Sequence, residues 1–402
     1  MDPQQPGPPS QPGPYPHQPG PYPQQPGPYP PGPQQPGPQQ PGPYPPGPYV
    51  QPYPQPHSQQ YPGPYPQPWG APPSYPGQFG YREPRIIPAP QGTPFHRLAR
   101  TPKHAWWRPL TGTLLLGAMA IVLTGIVAVG WMIAHRIFIG PLPAVSGSNW
   151  FSNETENLAL NLVLLGILTP AVGLVAWIVQ RRPFWSVASV LNRIRWRWLL
   201  WCCLPGLGYI LLTYLMGILV DAVFPSNDAI GQEGGSWVGL GAFIAPALVI
   251  IALVPFQSAA EEFVFRGWLI QAIGAYGPDQ PHGRMRWLRT IFRTPWPGIV
   301  IGGLAFVSAH GYTGWAMADV FLFAVVVGWL TVRTGGLESG IALHSLNNLS
   351  AFLLPAAMGQ LGGWDEQGGA PWTLLVSDIP CLAFYAFAVL WLAKRKQVAT
   401  LS

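Results

Sequence analysis

The run Pro255-Phe-Gln-Ser-Ala-Ala-Glu-Glu-Phe-Val-Phe-Arg-Gly-Trp-Leu-Ile270 sets two adjacent carboxylates, Glu261 and Glu262, and the guanidinium of Arg266 into otherwise apolar sequence. It closes an apolar stretch, 237–260, long enough to cross a bilayer, for which roughly 20 helical residues suffice. By the lower estimates a charge near the bilayer centre costs roughly 2.5–3.5 kcal/mol, so it is kept for pairing or for chemistry. The run therefore reads as a membrane helix carrying a polar site. The rest of the chain is read by what those carboxylates face.

Outward from this run, apolar segments of spanning length lie at 110–134, 158–179 and 198–220. Shorter, glycine-punctuated ones follow at 297–314, 316–332, 339–357 and 373–393. The expected fold is an all-α polytopic membrane protein of about eight transmembrane helices. Interrupted spans are where polar cavities are built, because irregular backbone at membrane depth must be satisfied by protein or water. Arg97, Arg100, Lys103 and Arg108 precede the first span, Arg181 to Arg197 follow the second, Arg284 to Arg293 follow the fourth, and Lys394-Arg395-Lys396 follow the eighth. Glu154, Glu156, Asp221, Asp228, Glu233, Asp365 and Glu366 occupy the alternate loops. The positive-inside rule then places both termini in the cytoplasm, with the plasma membrane as the expected location and Trp106 and Trp107 as interfacial anchors. The net charge of +6 is thus an orientation signal with some attraction to anionic lipid, and no nucleic-acid partner is expected.

Four regions are expected: a disordered Pro-rich cytoplasmic tail (1–100), N-terminal transmembrane helices (101–236), a core carrying the polar residues (237–393) and a basic cytoplasmic C-terminus (394–402). Up to about Gly80 the tail is Pro, Gly, Gln and Tyr, too poor in aliphatic residues to offset ordering entropy. Its glycines do not recur every third residue, which excludes a collagen-like helix. It is read as a solvated tether, with a Pro-binding module as its candidate partner. No signal peptide is evident and Asp2 excludes N-myristoylation. Cys202, Cys203 and Cys381 all sit in apolar runs as packing residues, without disulfide or metal spacing.

Three polar pairs share a four-residue spacing: Glu262 with Arg266, Phe306 with His310, and His344 with Asn348. On a helix each pair shares a face, so three spans can aim their polar faces into one cavity. Depth counted along the helices puts that cavity on the cytoplasmic side, with Glu261 and Glu262 near the cytoplasmic end of their span. Glu262 and Arg266 are expected to pair as ions, because Glu before Arg is the favourable order. Glu261, about 100° round the helix, is left over as a candidate general base acting on water. Asp319 and Asp378 are expected at the outer interface, across the membrane from Glu261.

Taken together, Glu-Glu-Phe-Val-Phe-Arg (261–266), Phe-Val-Ser-Ala-His (306–310) and His-Ser-Leu-Asn-Asn (344–348) resemble the three motifs of the CAAX-protease and bacteriocin-processing family of intramembrane proteases. The resemblance covers about 237–393 and includes the flank Thr334 to His344. It implies an endopeptidase in which Glu261 and His310 activate water while His344 and Asn348 donate to the oxyanion. Glu262 and Arg266 would hold the motif helix and Phe306 would pack against the site; Asn347, three residues from His344, is the second candidate for the place of Asn348. The implied substrate is a membrane-associated peptide or protein at the lipid bilayer. Two readings of the cofactor stand: zinc, held by Glu261, His310 and His344, or no metal. The absence of a close ligand pair such as HExxH favours the second. The alternative functions are a non-catalytic scaffold or bacteriocin-immunity protein acting through the Pro-rich tail, and an ion- or proton-coupled transporter.

Overall fold

The computed structural model describes residues 84–143, 150–224, 235–280, 283–363 and 368–402. The tail up to residue 83, and the loop acids Asp228, Glu233, Asp365 and Glu366, lie outside the described residues. The chain is built of helices: α1 (Trp107–Phe138), α2 (Glu154–Gly166), α3 (Leu168–Ile178), α4 (Trp196–Val223) and α5 (Leu240–Glu261). A π-helical segment (Glu262–Leu269) joins α5 to α6 (Ile270–Gly274). Then come α7 (Arg286–Arg293), α8 (Trp296–Ser308), α9 (Trp315–Thr334), α10 (Glu338–Ala357) and α11 (Trp372–Arg395). Two strands of two residues, β1 (Thr313–Gly314) and β2 (Gly369–Ala370), pair in parallel and tie the α8–α9 loop to the start of α11.

Helix lies in each of the eight expected stretches, although α8 ends at Ser308, short of the expected 314, and the protein is an integral membrane protein. Among the described residues six helices are long and apolar enough to cross a membrane, or seven if α7 and α8, bent by 67°, count as one span. α10 falls outside that group because Glu338, Ser339, His344, Asn347 and Asn348 lower its hydropathy, and its first half is buried in protein. α1 is apolar on every side with much of its surface open, as expected of a helix that meets lipid rather than a core.

Local chemistry sets several helix ends. The Asn153 side chain accepts from Glu156 N at 3.2 Å and caps α2, whose first turn carries Glu154 and Glu156 against the positive end of the helix dipole. Gly335, at φ 70°, ends α9 in the left-handed conformation that glycine adopts without strain. α10 then packs against α4, α5 and α9, while α11 packs against α4 and α9. Their shared core holds Trp198, Tyr209, Val327, Leu330, Tyr385 and Val389. Arg195 fixes the start of α10 by a two-pronged grip on the buried Glu338, at 2.8 Å and 2.5 Å.

Residues 84–106 correct the expected tail boundary. They belong to the packed structure: Phe95 and Leu98 are fully buried, and His96 Nε2 donates to the Arg293 carbonyl at 3.0 Å. Arg97 and Arg100 both bond Asp279, beyond α6. The segment lacks helical periodicity, yet two apolar residues, two arginines and His96 suffice to dock it on α6 and the end of α7.

Candidate active site

The helix carrying the two carboxylates does not stop at them. From Leu240 it runs through the π segment to Gly274, so Glu261 sits roughly 20 Å of helix before the end rather than near it. That extension brings the three motif helices to one level. The π segment begins at Glu262; such wide turns cost regular hydrogen bonding and are frequent at functional sites.

Glu262 is fully buried and lies 3.1 Å from Arg266 Nη1. The alignment is too poor for a hydrogen bond, and the guanidinium instead lies over the Phe306 ring at 4.0 Å. The pair meets as opposed charges on an aromatic platform. His344 stands between the two glutamates. Its Nδ1 is 2.9 Å from Glu262 Oε1 and its Nε2 is 3.4 Å from Glu261 Oε2. A carboxylate only accepts, so Nδ1 carries the proton toward Glu262, and that fixes how the ring is turned.

Gln257, one helical turn before Glu261, is a site residue that the motif spacing does not include. Its Nε2 donates to Glu261 Oε1 at 2.6 Å, and its Oε1 accepts from Asn348 Nδ2 at 3.2 Å. The signal available in the sequence was a buried-type amide at the i−4 position of a membrane glutamate. Asn348 keeps a second amide hydrogen for another acceptor. His310 follows the end of α8, with Nδ1 donating to the Phe306 carbonyl at 2.7 Å, which leaves Nε2 as its free ring nitrogen. Its ring lies 4.5 Å from that of Phe306 and stacks with Tyr312 at 5.7 Å. No hydrogen bond joins Glu261 to His310 among the described residues.

A cavity of about 180 Å³ brings most of these groups together. Its wall includes His310, Tyr312, His344, Asn347 and Asn348, with Phe306 at its base. Glu261 is not in the wall and approaches it through His344. Asp319 and Asp378 do line it, with Asp378 Oδ1 accepting from the Tyr209 hydroxyl at 2.8 Å. The two aspartates lie on the expected side, away from the basic loops, and the correction is that they line the site rather than standing across the membrane from it. α8 is only about 20 Å long, so the loop carrying His310 ends beside the first turns of α9 and α11. The cavity correspondingly extends toward the N-terminal ends of α9 and α11, away from the arginine-rich side and not toward it.

Zinc fits this arrangement poorly. Among the described residues no three His, Cys, Asp or Glu side chains converge on a common point. His344 directs both nitrogens at carboxylates and His310 commits one to a carbonyl, so Glu261, His310 and His344 do not form a three-ligand cradle.

Residues 243–350 match a family model described as type II CAAX prenyl endopeptidase Rce1-like. Uncharacterized protein YyaK of Bacillus subtilis (strain 168) is 27% identical over 203 residues, 49% of this chain and 61% of that protein. The match thus spans less than two thirds of the relative's length. No solved structure matches the chain.

Proposed function

From the match of residues 243–350 to the Rce1-like type II CAAX prenyl endopeptidase model, we propose that the chain is a member of that family and an intramembrane endopeptidase acting on membrane-associated peptides. The observation that carries the reading is the chain of contacts Asn348–Gln257–Glu261–His344–Glu262 beside a cavity that also contains His310.

In this reading Glu261 takes the proton of the attacking water. Gln257 holds one of its oxygens, which leaves the Oε2 side, next to His344, to meet that water. His310, its Nδ1 occupied, accepts from the same water through Nε2, and the proton that Glu261 takes passes on to the leaving amine. The remaining Asn348 amide hydrogen is the donor for the oxyanion, joined by His344 when its Nε2 also carries a proton, a contact whose removal typically costs about 3–4 kcal/mol of transition-state stabilisation. Glu262 and Arg266 act on His344 and Phe306 rather than on substrate. No step is routed through a metal.

With the basic side cytoplasmic, as the charge distribution favours, the peptide reaches the cavity from the opposite, outer half of the membrane. A prenylated substrate is not part of the proposal.

The test is cleavage of a peptide library by the purified chain in liposomes. Glu261→Gln should lower the rate about 10²- to 10⁴-fold, with His310→Ala in the same range. Cleavage at the wild-type rate by either variant would exclude this mechanism. Proton flux dependent on Glu261 without any cleavage would point to a transporter instead.

A further inference from the structure

α7 is a short helix with two unlike sides. At about 100° per residue, Arg286, Arg289, Thr290 and Arg293 fall on one side and Trp287, Leu288, Ile291 and Phe292 on the other. None of its residues is buried. Leu288 and Phe292 are half-covered, whereas Trp287 is 65% and Ile291 44% exposed, so one edge of the apolar side meets no protein among the described residues. The helix turns by 67° into α8, which enters the bundle. A helix at that angle to a membrane-entering helix runs closer to the membrane plane than to its normal.

An open notch of about 580 Å³ lies along this edge, lined by Arg284, Arg286, Trp287, Thr290 and Ile291. Two guanidiniums and a hydroxyl thus share one recess with an indole and an aliphatic side chain. Guanidinium forks match phosphate oxygens, and a tryptophan beside an aliphatic residue suits the boundary between headgroups and acyl chains. An acidic protein partner would satisfy the arginines and leave the apolar edge exposed. A soluble phosphate would do the same. A ligand with a phosphate joined to acyl chains satisfies both halves of the notch.

We propose that α7 lies in the membrane plane as an interfacial helix and seats the phosphate of an anionic phospholipid between Arg284 and Arg286, with Trp287 and Ile291 lowered into the acyl boundary. The site stands on the arginine-rich side of the bundle and is independent of the peptidase reading.

The test is hydrogen exchange of the 286–293 amides in the full-length chain, in nanodiscs of phosphatidylcholine alone or mixed with phosphatidylglycerol. Exchange should slow by about thirtyfold in the anionic discs, as expected for two arginines at a charged surface, while the amides of α9 stay constant. The pair Arg284→Gln/Arg286→Gln should lose most of that difference. Trp287→Ser/Ile291→Ser should raise exchange in both kinds of disc. Equal exchange of the wild type in the two discs would overturn the proposal. So would a difference that survives in the Gln pair, which would reflect diffuse attraction to the whole basic face. Protection by inorganic phosphate in phosphatidylcholine discs would assign the notch to a soluble anion instead. Should the Gln pair fail to fold, Arg284→Lys/Arg286→Lys keeps both charges without the forks. Full protection in that variant would leave no phosphate seat.

Discussion

Replacing Glu262 with Gln keeps an acceptor for His344 Nδ1 and removes the charge opposite Arg266. The guanidinium would then keep the Phe306 ring but lose its charge partner, a loss of up to about 3–5 kcal/mol for pairs of this kind. Denaturation of the purified variant should show that loss, and the double variant Glu262→Gln/Arg266→Met should recover most of it. A single variant as stable as wild type would mean that the ion pair carries no structural weight. The residue scale also shows what spacing can deliver. Glu262 and Arg266 could be paired from the sequence because both are charged and four apart. Gln257 could not be singled out that way. A neutral amide costs little to bury once bonded, so its presence in a span carries no alarm, and its importance comes from Glu261 and Asn348, the latter on another helix.

At the scale of elements, the position of His310 depends on how closely α8 approaches the π segment. A methyl group built on Gly302 would stand 2.8 Å from the Phe265 carbonyl oxygen, and one on Gly298 2.9 Å from the backbone of Ile270. Gly302→Ala should therefore push α8 outward, separate the Phe265 and Phe306 rings, now 5.2 Å apart, and shift His310 with them. The expected outcome is a fall in cleavage of about 10²-fold, the scale of a 1 Å misplacement, in a protein that still folds. Unaltered cleavage would show that the α8 contact leaves the site alone. Element existence was legible from the apolar runs, since length and hydropathy decide it. Depth was not. The continuation past Arg266 to Gly274 looks like loop entry because charges interrupt it, and the shortness of α8 appears only when its end is seen beside Asp319 and Asp378.

For the whole molecule, residues 84–106 couple the N-terminal side of the membrane domain to solution pH. Burial lowers the proton affinity of His96, whose Nε2 donates to Arg293 while Nδ1 has no partner. The hydrogen bond from Arg100, with the charges of Arg100 and Arg97, holds the Asp279 carboxyl below its ordinary range. Both signs agree. The unfolded histidine binds protons more readily than the folded one, so stability is present above about pH 6.5 and falls as pH drops below it. The Asp279 contribution is present above the usual carboxylate range and is lost as pH falls through it. Exchange of the 93–106 amides, corrected for intrinsic rate, should rise between pH 7 and 5, and His96→Gln should flatten that first limb. A flat profile in the wild type would contradict the assignment. This docking was hidden in the sequence by proline-rich surroundings, where Phe95 and Leu98 have no periodic companions.

The π segment has a consequence of phase. Its wide turn takes up rotation that a regular α-helix would pass on at about 100° per residue. Upstream of it, α5 presents Gln257 and Glu261 while packing on α2 and α10; within it Arg266 faces Phe306 of α8, and downstream Gln271 bonds Arg182 in the loop after α3. Removing one residue between 263 and 265 would give a smoother, intrinsically better helix. It would also turn the two halves of the molecule against each other, so that either the carboxylates or their supports would face lipid. In this span the irregular turn acts as a timing element: it sets the angle at which the two stretches of one helix, packed on different neighbours, agree on a single site.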